Sequence, residues 1–192
     1  MVSVDDLKSY NRDLLDLFTK RSKSAKFNND RSHNAIILCF MLEQSLHVNM
    51  FCGELSILRN PFYKRIEEVH GEEVAKYLKK SVQDSLESFF GKDGSSLSIV
   101  LENNVDFYSD LICKETLQKS MIEGKVSISV LPDDFTYKKG FNHFSFTESK
   151  IVRLEEDKIQ HNAVCMCNGE DYLPLLTKYF QTLKDLGSKV DF

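Results

Sequence analysis

The sequence predicts an α/β fold, a mixed sheet of about six strands with helices on both faces. Three features carry that reading. Short apolar runs such as residues 97–101 and 126–130 have strand length and β-branched content. Between them lie segments with helical apolar spacing, long enough to serve as crossovers. Glycine (8) and proline (3) are scarce in 192 residues, which disfavours long flexible linkers.

Ser3 to Asp6 has the form of a helix start, and Leu7, Tyr10, Leu14, Leu17 and Phe18 follow at helical spacing. The basic stretch 20–26 reads as a solvated helix end, and Asn28 to Asp30 as a break. A second helix, about 31–46, is apolar on nearly every side and should be buried. Residues 47–52 read as a short strand ended by Gly53. Pro61 suits the first turn of a helix, and Gly71 separates it from a longer one over 72–90. A strand at 97–101, a helix at about 109–122 and a strand at 126–130 come next. Phe144 and Phe146 alternate on a strand that returns through Glu148 and Ser149 into 151–154. The strand 163–167 and a helix over 171–186 complete the order. The expected organisation is a helical extension, residues 1–30, before an α/β domain, residues 31–192.

Charge and composition exclude several classes. The net charge is −4, from 25 basic and 29 acidic residues, so nucleic acid is not favoured as a partner. No apolar run is long enough for a membrane span, and the acidic start carries no signal core. Five cysteines, an odd number, lie inside apolar segments, as in a cytoplasmic protein with reduced thiols. Cys165 and Cys167 share a strand face, but two sulfurs do not make a structural zinc site. His33, His47, His70 and His161 are scattered and read as surface or capping residues. No metal and no cofactor are expected. Phosphate-binding glycine loops, the nucleophile elbow and the HExxH zinc motif are all absent.

From His143 onward the order is His143-Phe-Ser-Phe, a tight return, Arg153-Leu-Glu155, a strand to Asn168, and a helix carrying Leu175, Tyr179 and Phe180. This resembles one lobe of the phospholipase D superfamily, in particular its small bacterial single-lobe members, over about residues 31–186. Active members carry H-x-K-x-x-x-x-D, in which the histidine attacks phosphorus and the lysine holds phosphate oxygens. By that resemblance His143 takes the histidine position, Ser145 the lysine position and Lys150 the acidic position. No Gly-Ser pair follows, although Asn168 ends the next strand. Charge builds on phosphate oxygens during attack and needs a fixed cation, which Ser145 does not bring.

The resemblance therefore implies a lobe without its catalytic set, acting as a binding, assembly or regulatory module, for instance in bacterial defence or restriction. A homodimer or another protein partner is expected. Candidate site residues are His143 and Ser145, with Arg153, Glu155 and Asn168 as binding candidates. Two alternatives stay open. One is a phosphodiesterase or nuclease using His143 with a cation from Lys138 or Lys139. The other is a phosphate or nucleotide sensor without turnover.

Overall fold

The computed structural model of the chain describes residues 1–28, 30–103, 110–135, 142–157 and 162–190. Its elements are α1 (Val4–Thr19), β1 (Ala25–Asn28), α2 (Arg31–Gln44), β2 (His47–Cys52), α3 (Asn60–His70), α4 (Glu72–Gly91) and β3 (Ser96–Leu101). They continue through α5 (Lys114–Ile122), β4 (Val126–Val130), β5 (Phe144–Thr147), β6 (Val152–Asp157), β7 (Asn162–Met166), α6 (Leu173–Leu186) and β8 (Ser188–Lys189). The eight strands form one mixed sheet in the order β1-β7-β6-β5-β2-β3-β4-β8. β2, β3 and β4 run parallel, and every other pairing is antiparallel. The expected α/β class holds, and the two additional strands are the short edges β1 and β8.

The central strands are apolar without alternation because both sheet faces are covered. Leu97, Ile99 and Leu101 of β3 enter one cluster with Ile37, Leu78, Leu86 and Phe89 of the helices. Val100, one residue out of phase, joins Phe51, Phe144, Phe146, Leu176, Phe180 and Leu183 on the opposite face, which α6 covers. Helix α2 is buried from Asn34 to Leu42, as its apolar composition requires. Leu7, Tyr10 and Leu14 of α1 belong to the larger cluster, and Phe18 meets Phe40 edge-on at 5.8 Å. Helix α1 thus packs on its own chain.

Some expectations move. The stretch 20–26 read as a solvated helix end and the break read from Asn28 both overlap β1, whose Ala25–Asn28 pairs with β7. The intermediate helix begins at Lys114 within the described residues. His70 is buried: its Nδ1 accepts from the Val2 amide at 3.0 Å, and its Nε2 lies 3.0 Å from Asp30 Oδ2. His33 stacks on Tyr10 with ring centroids 4.2 Å apart. His161, Lys138, Lys139 and Lys158 lie outside the described residues. Cys165 and Cys167 are buried core thiols, as their strand phase suggested. No helix among the described residues is long and apolar enough to cross a membrane.

Asp30 caps α2, accepting from the Ser32 amide at 2.8 Å. Burial raises its carboxyl, but the Ser32 bonds and the charges of His70 and His33 outweigh this and hold it below 3.8. A depressed carboxyl contributes stability that is present above 3.8 and is lost as pH falls through its lower folded value. Asp30→Asn keeps one oxygen for the Ser32 cap but sets an amide NH2 against the His70 Nε2 donor, so it is expected to make the acid limb of the stability–pH curve shallower and to lower neutral-pH stability by about 1–3 kcal/mol. Urea midpoints across an acid titration check this, and an unchanged acid limb would refute it.

Candidate functional site

Strand pairing decides which side chains meet. Ser145 lies opposite Met50 on one side and Arg153 on the other. The Glu155 amide donates to the His143 carbonyl at 2.9 Å, which sets Glu155 beside His143. The Glu102 amide donates to Cys52 at 2.8 Å, bringing the end of β3 to the same place. Residues 143, 145, 153 and 155 share the phase of Met50 and face α2, whereas Phe51, Phe144 and Phe146 face α6. A one-residue slip of β5 or β6 would turn the polar set into the apolar layer, so register is strongly specified.

These side chains form an unbroken polar series. The Asn28 amide donates to Asn34 Oδ1 at 2.5 Å, and Arg153 Nε donates to the same oxygen at 2.9 Å. An Arg153 terminal nitrogen lies 3.6 Å from Glu155 Oε1. Glu155 Oε2 is 2.5 Å from His143 Nδ1, and His143 Nε2 is 2.8 Å from Glu102 Oε2. Along it a guanidinium, a carboxylate, an imidazole and a carboxylate follow one another. Glu155 is only 4% exposed and Ser145 2%, so the series is largely withdrawn from water. Burial pulls the Arg153 guanidinium below its ordinary range, and the charge of Glu155 opposes that pull.

His143 Nε2 hydrogen-bonds Glu102 Oε2, while Nδ1 lies within ion-pair distance of Glu155 Oε2. Both ring nitrogens thus face carboxylate oxygens. Gly53 makes the arrangement possible: a Cβ there would stand 3.2 Å from His143 Cε1 and 3.4 Å from Nε2.

The series forms one wall of a cavity of about 430 Å³, within the range of small-molecule sites. Arg31, Asn34, Ile37, Leu38 and Met41, on one face of α2, and Leu55, Ile57 and Phe62 complete its lining. Leu55 sits at φ 54 and ψ 37, a left-handed conformation that costs an L-residue about 1–2 kcal/mol. Cys52 also lines the cavity, and burial pushes its thiol up to about 12, so it is a protonated thiol at neutral pH. No group of three or more His, Cys, Asp or Glu among the described residues is placed to hold a metal ion.

Four of the five candidates therefore converge: His143, Ser145, Arg153 and Glu155 all line the cavity. Asn168 does not. It stands in the turn after β7, donating to the Arg21 carbonyl at 3.3 Å. Lys150 also lies elsewhere, in the β5–β6 turn at φ 67, and pairs with Glu170. Glu102, Gly53 and Asn34 are site residues that sequence reasoning missed. Only the end of an apolar strand marks Glu102, and Asn34 is marked only by standing just before the apolar run of α2.

No protein-family model matches the sequence, and no curated protein does. Among solved structures, the chain is similar to the crystal structure of Nuc, a phospholipase D family member from Salmonella typhimurium. The TM-score is 0.53 and the identity 9%, covering 88% of this chain and 99% of that one. At that identity the likeness establishes a phospholipase D-like fold.

His143→Ala is expected to cost on the order of 2–4 kcal/mol, because two poorly exposed carboxylates then lose the group between them. Urea unfolding measures it, and a loss under about 0.5 kcal/mol would show that the pairing carries no energy. Gly53→Ala should cost less than about 1.5 kcal/mol yet shift the His143 ring resonances in NMR spectra. Unmoved ring resonances would contradict the close approach.

Proposed function

We propose that this phospholipase D-like lobe works by binding and does not cut phosphodiesters. The observation that carries this reading is the double engagement of His143. A histidine that attacks phosphorus needs a ring nitrogen with an available lone pair, and here both nitrogens face carboxylate oxygens at 2.8 and 2.5 Å. The local charge adds to this. A phosphate held about 4 Å from the Glu102 carboxylate meets a repulsion of roughly 4 kcal/mol at an effective dielectric near 20. Ser145 offers only a neutral hydroxyl where the resemblance calls for lysine. On this reading the lobe is an assembly or regulatory module for a second copy or another protein. The five free cysteines fit work in a reducing compartment.

One observation favours a second reading, a phosphodiesterase with a displaced cation. Arg153 pairs in register with Ser145 across β5 and β6 and lines the same cavity, so it brings positive charge beside the missing lysine. Its neighbour Glu155 offsets that charge, which is why binding is the first reading.

The two readings separate on bis(p-nitrophenyl) phosphate and linear DNA. The protein is expected to hydrolyse neither above the buffer rate, with His143→Ala and Arg153→Gln indistinguishable from it. Turnover that both substitutions abolish would overturn the binding reading in favour of the second.

A further inference from the structure

We propose that His70 is a proton-operated latch: its neutral ring holds the segment before α1 against the corner of α2 and α3, and protonation lets that segment go. The ring ends α3 with its side chain 5% exposed, and both nitrogens are in use. Nδ1 accepts from the Val2 amide at 3.0 Å, so it carries a lone pair. The ring proton therefore sits on Nε2, which donates to Asp30 Oδ2 at 3.0 Å. A second proton has one place to go, Nδ1, where it points at the Val2 N–H. Two donors then face each other, and that hydrogen bond is lost. The contact with Asp30 survives as a charged pair, so one bond breaks while the other strengthens.

The surroundings decide what moves. Asp30 is fixed independently of His70, since its Oδ1 accepts from the Ser32 amide at 2.8 Å and from the Ser32 hydroxyl. The ring thus stays with α2, and Val2 is the partner that leaves. Met1 is 99% exposed, whereas Val2 packs partly buried against the core, which makes Val2 the point where the segment is held. Release stops at Ser3, which caps α1 through reciprocal hydrogen bonds with Asp6, and Leu7, Tyr10 and Leu14 keep that helix buried. The ionisable groups near the ring come from each neighbouring element. His33 of α2 is held down chiefly by burial, with Asp30 and Asp6 favouring its charged form and Lys26 and His70 opposing it. The Met1 amine acts on Asp6. Glu67 and Glu68 of α3 and Glu72 and Glu73 of α4 are exposed, where water screens them. Of these groups, Asp30 is the one in contact with the imidazole.

The test follows the full chain, with Met1 retained, by NMR as pH is lowered through the titration of the His70 ring, read from its own resonances. While the ring is neutral, the Val2 amide should be protected from solvent exchange. Along the same titration that protection should fall several-fold, after correction for the intrinsic exchange rate at each pH. Amides inside α1 and α2 should keep theirs. His70→Asn places an oxygen near the Nδ1 position that no proton displaces, so Val2 should stay protected throughout. His70→Gln reaches Asp30 instead and should leave Val2 unprotected at every pH. An unprotected Val2 at neutral pH, protection that ignores the titration of the ring, or a Val2 still protected in His70→Gln would each overturn the proposal. The same loss in His70→Asn would assign the change to the Met1 amine and overturn it too. So would loss of protection throughout α1 and α2 together with Val2, which is general acid unfolding. The titration of the unsubstituted chain decides even where a variant fails to fold.

Discussion

The alternating series Arg153–Glu155–His143–Glu102 is the interaction on which the site depends. Each member alone would be a poorly solvated polar group in a cavity also lined by Met50, Ile37 and Leu38. Together they neutralise one another, and Asn34 fixes the far end by accepting from Arg153 and Asn28 at once. Such a series is sensitive to the loss of any link, because a partner left behind keeps its desolvation cost and loses its compensation. It also ties helix α2 and strands β1, β3, β5 and β6 to one point.

The fold supplies the rigidity that the series needs. The parallel centre of the sheet is packed from both sides, with α6 on one face and the larger helical layer on the other. The site forms where β2 has a parallel neighbour on one side and an antiparallel one on the other. At that junction the ends of three strands leave space above them, and Gly53 lets the imidazole sit against backbone. Likeness to a phospholipase D family member extends to this architecture, while the polar series at its centre is described here on its own chemistry.

Much of the architecture was legible from local pattern. Helices α2, α4 and α6 and strands β2, β3 and β4 follow from apolar spacing and length, since each buries enough of its own surface to leave a periodic trace. The edges were not. Strand β1, four residues beside a basic run, carries no alternation of its own and exists because β7 accepts it. Strand β8, with two exposed residues, leaves less still.

For the site, the sequence by itself determined the phase of β5 and β6: His143 and Ser145 share one face, Arg153 and Glu155 another, through the two-residue period of a strand. It also determined the absence of the lysine. Only the tertiary structure decided that these faces coincide, that Glu102 closes the series from 41 residues away, and that Asn34 reaches Arg153 across 119. Local periodicity reports which side of an element is buried. It holds no information about which distant polar group will be there to share a proton, because that partner is chosen by strand order and register.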